Sequence, residues 1–88
     1  MTRIDYTVGV MNASAPTLNL ANRLRVARAE RGISQDELAR LAGVTRQTVS
    51  SIETGQYCPS ALLAFLLARA LERPVTELFF LETKGDAK

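Results

Sequence analysis

The segment from Ser34 to Gly55 constrains the fold more than any other part of the chain, because it contains the signals for two short helices and for the turn between them. Its sequence is SQDELARLAGVTRQTVSSIETG. Ser34 followed three residues later by Glu37 forms a capping box, which begins a helix. Gly43 allows the left-handed conformation that ends a helix, and Thr45 is suited to cap the next one. The segment therefore predicts two helices joined by a tight turn.

The two predicted helices span residues 35–42 and 46–53, and the second presents polar side chains at its N-terminal half. Apolar residues are expected to hold this second helix on the core: Val44, Val49 and Ile52. Polar residues are left on the outward side: Arg46, Gln47, Ser50 and Ser51. This arrangement is the one that inserts a helix N-terminus into the major groove of DNA. An ordinary helical hairpin in a small bundle is the alternative.

Apolar residues at helical spacing continue through most of the remaining chain. The predicted bounds are about 18–31 for a first helix, about 59–71 for a fourth and 76–79 for a short fifth, before a polar tail over 83–88. Gly32 supplies the stop of the first helix. Pro59 is expected to open the fourth, because the first helical position needs no N–H donor.

Residues 1–17 differ from the rest, because Ile4, Tyr6, Val8 and Val10 alternate with other residues at the period of a strand. A strand needs a partner. We predict that this one pairs, at the interface between two subunits, with the apolar segment Phe79–Leu81 or with its own copy. An unstructured arm is one alternative, and a true start at Met11 is another.

Composition narrows the classes of function. The chain has 88 residues, 47% hydrophobic and 23% charged, which is typical of one small globular domain. It contains no His and one Cys, which excludes a Cys/His zinc site, an internal disulfide and His-dependent catalysis. No apolar run is long enough to cross a membrane, and no secretory leader is evident. We therefore expect a cytoplasmic protein that is not an enzyme and has no cofactor, metal or small-molecule ligand.

The positive charge is concentrated in the centre of the chain. Between Arg23 and Arg73 there are eight Arg and five acidic residues, against a net charge of +2 for the whole chain. Arg is better suited than Lys to forked contacts with phosphate and guanine. Charge alone nevertheless favours an ordinary solvated surface.

The run from Leu24 to Phe79 resembles the helix-turn-helix domain of the Cro and cI phage repressors, also called the XRE family. The matching sequence is LRVARAERGISQDELARLAGVTRQTVSSIETGQYCPSALLAFLLARALERPVTELF. It covers about two thirds of the chain and is most similar to short bacterial regulators that contain little besides this domain. The resemblance implies an all-α, five-helix domain over residues 18–82, to which the pattern in residues 1–17 adds a possible N-terminal strand.

The resemblance also implies roles for individual residues. DNA base contacts fall to Arg46, Gln47 and Ser51. Phosphate contacts fall to Gln35, Thr45, Thr48, Gln56 and Tyr57, with the cap as the main role of Thr45. Arg28 and Glu53 match a pair that forms an internal salt bridge in the family.

Two departures from the family pattern affect these expectations. Gln56 and Tyr57 stand where many relatives carry Lys or Arg, so we expect weaker non-specific DNA affinity and a shallower salt dependence. Backbone N–H groups of this loop and the Tyr57 hydroxyl are left as possible phosphate contacts. Cys58 stands where relatives often have an Asn helix cap, and it is expected to be a small filler.

The function implied by the resemblance is sequence-specific binding of double-stranded DNA by a homodimeric regulator, most simply a repressor on a palindromic operator. The residues expected at the dimer interface are Leu62, Leu66, Phe80 and Leu81. An antitoxin that binds its own promoter and a non-DNA helical interaction module are the alternatives. A membrane partner is not expected.

Overall fold

The computed structural model describes residues 18–83. Its elements are β1 (Leu18–Asn22), α1 (Leu24–Arg31), α2 (Gln35–Ala42), α3 (Arg46–Glu53), α4 (Ala61–Leu71), α5 (Val75–Leu78) and β2 (Phe79–Thr83). The predicted five-helix fold is confirmed, together with a short antiparallel sheet of two strands. The predicted strand over residues 4–10 lies outside the described residues, so its pairing stays a prediction.

The helices α2 and α3 have the predicted bounds because their end signals are local. The Ser34 hydroxyl accepts a hydrogen bond from the Glu37 N–H at 3.0 Å, and the Thr45 hydroxyl accepts one from the Thr48 N–H at 3.2 Å. Gly43 ends α2 with a φ of 79°, a left-handed conformation that strains any residue with a Cβ. These contacts fix the turn between the two helices.

All five helices contribute to one apolar core. The fully buried side chains are Leu24, Leu38, Val49, Ile52, Leu67, Leu71 and Leu78. Ala39 is 3% exposed, and its small side chain suits the close packing of α2 against α3 and α4. Truncating one of the buried Leu residues to Ala is expected to cost about 2–5 kcal/mol of stability. The core therefore holds α3 by its apolar side and leaves its polar side outward.

The start of the first helix differs from its prediction. Residues 18–22 form β1, which pairs with β2 in an antiparallel sheet, and α1 begins only at Leu24. Leu20 was consistent with a helical stripe, but it lies opposite Leu81 in the sheet. The strand β1 ends at Asn22, whose side-chain oxygen accepts a hydrogen bond from the N–H of Leu24, the first residue of α1, at 3.1 Å. Pairing with a strand 57 or more residues away is not visible in a local pattern.

The helices α4 and α5 also begin at residues other than the predicted ones. α4 begins at Ala61 because the Ser60 hydroxyl accepts a hydrogen bond from the Leu63 N–H at 3.1 Å, so Pro59 lies before the helix. α5 spans Val75–Leu78, one residue earlier than predicted, so that the next residue can enter β2.

Candidate nucleic-acid interface

The N-terminal half of α3 presents a polar outward surface. Val49 and Ile52 are 0% and 1% exposed and hold the helix on the core. Arg46 and Gln47 are exposed, and Thr48 and Ser51 are half-buried beside them. The Gln47 amide donates a weak hydrogen bond to the Ser51 hydroxyl at 3.4 Å. The structure thus brings together the three residues expected to contact DNA bases: Arg46, Gln47 and Ser51.

Gln35, the first residue of α2, bridges the two ends of α3. Its amide nitrogen donates to the Glu53 carboxylate at 3.0 Å, and its amide oxygen accepts from the Arg46 guanidinium at 3.4 Å. Its side chain is therefore oriented by both neighbours. The longer of the two bonds directs the guanidinium of Arg46, which is the exposed partner.

Glu53, the last residue of α3, is the centre of an ion network. Its side chain is 0% exposed, and its carboxylate lies 2.8 Å from Arg28 Nε and 3.8 Å from Arg25 Nε. Burial works against ionisation of this carboxyl, but hydrogen bonds from Arg28 and Gln35 and the two positive charges outweigh it. Together they hold the pKa of Glu53 below its usual range. Arg28 and Glu53 thus form the expected ion pair, with Arg28 only 16% exposed.

Asn22 is a second anchor of α3, and the sequence reasoning did not identify it. Its side-chain N–H donates to the carbonyl oxygen of Ile52 at 2.9 Å, while its side-chain oxygen caps α1. Both functions of the amide are used, so one side chain ties the end of β1 and the start of α1 to the end of α3. The available signal was the residue type, because an Asn side chain commonly accepts a hydrogen bond from the backbone N–H two residues ahead in an Asx turn.

The loop after α3 is closed by its own backbone. Gly55 is left-handed with a φ of 82°, and the N–H groups of Gln56 and Tyr57 donate to the carbonyl oxygen of Ser51 at 2.8 and 3.2 Å. These N–H groups are therefore occupied, which corrects the expectation that they are available to phosphate. The side chains of Gln56 and Tyr57 remain exposed.

A shallow recess lies at the N-terminus of α2. It is lined by Arg28, Ser34, Gln35, Asp36 and Arg46. Two guanidinium groups and a helix N-terminus favour an anion there, whereas the Asp36 carboxylate opposes one.

Two other kinds of site were sought within residues 18–83. No group of three or more metal-binding side chains occurs in that range. None of its helices is long and apolar enough to span a membrane.

A family model described as helix-turn-helix matches residues 24–78. The chain belongs to this helix-turn-helix family. The match confirms the resemblance to Cro-type and cI-type regulators, and it covers all five helices of the structure.

Relatives of this helix-turn-helix protein are named as HTH-type transcriptional regulators. It is 43% identical over 66 residues to the HTH-type transcriptional regulator YgzD of Bacillus subtilis, covering 75% of this chain and 100% of that one. It is 46% identical over 63 residues to an HTH-type transcriptional regulator of Methanothermobacter thermautotrophicus, covering 70% and 91%. The chain is accordingly a transcriptional regulator of the helix-turn-helix type and not an enzyme.

Solved structures agree with this assignment. The restriction-modification controller protein C.AhdI of Aeromonas hydrophila matches with a TM-score of 0.60 and 39% identity, covering 61% of this chain and 82% of that one. The clp gene regulator ClgR of C. glutamicum matches with a TM-score of 0.58 and 32% identity, covering 60% and 69%.

Proposed function

We propose that this protein binds double-stranded DNA sequence-specifically as a homodimer, with the N-terminal half of α3 in the major groove. The observation that carries the proposal is the contrast along α3. Its C-terminal end is held by a buried carboxylate and by Asn22, whereas its N-terminal end presents exposed Arg46 and Gln47. Because these contacts fix α3 on the domain, its N-terminal end is held in a defined position, as a helix that contacts DNA bases requires.

The base contacts are assigned to Arg46, Gln47 and Ser51. Arg matches the O6 and N7 acceptors of guanine, and Gln matches the N6 and N7 groups of adenine. Gln35 accepts from the Arg46 guanidinium, which restricts the rotamers of Arg46 before DNA arrives. Ser51 is the shortest of the three and the least selective.

The phosphate contacts are assigned to residues around both helix N-termini and the following loop: Gln35, Thr45, Thr48, Gln56 and Tyr57. The free N–H groups at the start of α2 attract phosphate as well. The hydroxyls of Thr45 and Thr48 lie 3.1 Å apart, so one phosphate oxygen can reach both. Contacts of this kind set affinity and register but carry no sequence information.

The homodimer supplies two copies of α3 for a palindromic operator with half-sites about 34 Å apart. Exposed apolar side chains support self-association, because Leu62 and Leu81 are 70% and 65% exposed. The other two expected interface residues, Leu66 and Phe80, are half-buried within the chain. By occupying the operator, such a dimer acts as a repressor, and it acts in the cytoplasm, where its DNA is.

Selection of bound duplexes from a random pool tests this proposal. We expect one palindromic motif with two half-sites. Arg46→Ala should relax the preference at one base position of each half-site, whereas Gln35→Ala should weaken binding to all duplexes. Binding with no enriched motif would contradict sequence-specific recognition.

Light scattering tests the dimer itself. Leu62→Lys is the informative change on α4, because Leu62 is exposed and Leu66 packs on the core. We expect Leu62→Lys to weaken dimerisation while the helix content is retained.

A further inference from the structure

Within residues 18–83, the two-stranded sheet has one edge against the protein and one edge open. On the β1 side, Asn22 bonds to Ile52, and the strand borders a groove that Gly55 lines. On the β2 side, residues 81–83 are exposed, and Leu81 is 65% exposed. An open strand edge is a template for pairing with another strand.

The backbone groups on this open edge can be assigned from the register. The Arg23 N–H donates to the Leu78 oxygen at 2.8 Å, so these two residues form a hydrogen-bonded pair at the end of the ladder. Such pairs alternate with pairs that are not hydrogen-bonded. Leu20 and Leu81, which lie opposite each other, therefore belong to the second kind. The N–H and C=O of Leu81 point away from β1, without a partner among residues 18–83.

We propose that the open edge of β2 pairs antiparallel with β2 of a second copy, with the two-fold axis at Leu81. The outward N–H of Leu81 then donates to the C=O of the partner's Leu81, and the outward C=O accepts from the partner's N–H. The arrangement is self-complementary, as a two-fold interface requires. It joins two sheets of two strands into one sheet of four.

Charge on one face of the sheet selects this register. Phe80 and Glu82 lie on the face opposite that of Leu81, and the Arg23 guanidinium lies 4.3 Å from the centre of the Phe80 ring. With the axis at Leu81, Phe80 lies opposite the partner's Glu82. The Arg23 guanidinium of each copy then lies next to the Glu82 carboxylate of the other copy, so the dimer contains two such contacts.

Neighbouring registers lack this match. An axis at Glu82 places two carboxylates opposite each other. An axis at Phe80 brings the two Arg23 guanidinium groups together. Its hydrogen-bonded pairs next to the axis are also built on Phe79, whose N–H already donates to the Val75 oxygen, whereas the central pair of the Leu81 register needs no group of Phe79. Arg23 and Glu82 are four positions apart along the sheet of one chain, so their pairing needs a second copy.

This inference rests on the proposed homodimer and names its interface. The test is sedimentation of full-length variants. Arg23→Glu alone and Glu82→Arg alone should each raise the dimer dissociation constant about tenfold or more, since each creates two like-charged contacts. Mixing the two single variants should restore association as a heterodimer, because both contacts are then attractive. The charge-matched control Asp36→Arg, at an exposed position of α2, should dimerise like the wild type.

A backbone test uses the same residue type on the two edges. Leu81→Pro removes an N–H from the open edge, whereas Leu20→Pro removes one from the β1 edge. Because neither N–H takes part in the hydrogen bonds between β1 and β2, the two-stranded sheet can form in both variants. We expect Leu81→Pro to be monomeric and Leu20→Pro to be dimeric.

Three results would overturn the inference. Dimers that survive both charge reversals and Leu81→Pro but are lost in Leu62→Lys would assign the interface to α4 alone, leaving the proposed function intact. Loss of the dimer in full-length Val8→Pro but not in Leu81→Pro would assign it to residues 4–10. A wild-type chain that is monomeric both free and on its selected DNA would contradict the homodimer and the inference together.

Discussion

The two ends of α3 differ in almost every physical respect, although the helix is only eight residues long. At the C-terminal end, Glu53 is buried among Arg28 and Gln35, and the Ile52 carbonyl is held by Asn22. At the N-terminal end, Arg46 is exposed and has one weak hydrogen bond, 3.4 Å long. The comparison places the stabilising contacts at one end of the helix and the side chains proposed for DNA recognition at the other. Changes at one end should therefore affect folding, and changes at the other should affect DNA binding.

The largest effect is expected at the anchored end. Glu53→Gln keeps the shape of the side chain but leaves Arg28 without a counter-charge, so we expect a loss of about 3 kcal/mol in the free energy of unfolding. Urea denaturation measures it. Glu30→Gln is the matched control, because Glu30 pairs with Arg73 at the surface, and it should cost less than about 1 kcal/mol. Equal losses in the two variants would show that burial of Glu53 is unimportant.

Acid should remove part of the same stabilisation. The pKa of Glu53 is lower in the folded chain than its ordinary value of 4.5, so the unfolded chain binds the proton more readily. The contribution is complete above that ordinary value and is lost as the pH falls below it towards the folded pKa. Denaturation midpoints of the wild type should therefore approach those of Glu53→Gln on acidification. Parallel pH curves for the two proteins would contradict this assignment.

At the free end, Arg46→Ala and Gln47→Ala should each cost about 1–3 kcal/mol in affinity for the selected DNA site. Neither should change the free energy of unfolding by more than about 0.5 kcal/mol, since both side chains are exposed. Fluorescence anisotropy and urea denaturation measure the two quantities. A large stability loss in Arg46→Ala would mean that the two ends are not separate.

Asn22 provides a second test of the contacts that hold the C-terminal end of α3. Asn22→Ala removes the hydrogen bonds to the Ile52 carbonyl and from the Leu24 N–H, so we expect a loss of about 1–2 kcal/mol in the free energy of unfolding. Asn19→Ala, on the same strand, is the control and should be near neutral. The two variants compare the same residue type with and without a bond to α3.

The smallest effect is expected at Thr45, which caps α3 and is also one of the residues proposed to contact phosphate. Thr45→Ala should lose about 1 kcal/mol of stability because the cap is lost. Thr45→Asp retains a capping oxygen but adds a negative charge, so it should fold normally and bind DNA severalfold more weakly. Unchanged DNA affinity in Thr45→Asp would leave Thr45 with the cap as its sole role.

The sequence by itself determined the parts of this protein whose signals lie within a few residues of each other. Ser34, Gly43 and Thr45 set the bounds of α2 and α3, because capping bonds and a left-handed turn are local. The outward position of Arg46 and Gln47 followed from the apolar spacing of Val49 and Ile52. The family, and with it the pairing of Arg28 and Glu53, was recognisable from the run that contains these signals.

Only the tertiary structure decided the features that depend on distant residues. Leu18–Asn22 became a strand because β2, far along the chain, was there to pair with it, and α1 was shortened accordingly. Gln35 met both Glu53 and Arg46 because the packing of α2 against α3 brought them together. The two uses of the Asn22 amide have the same origin. Contacts of this kind depend on how elements pack, and no local pattern of residues encodes a packing partner.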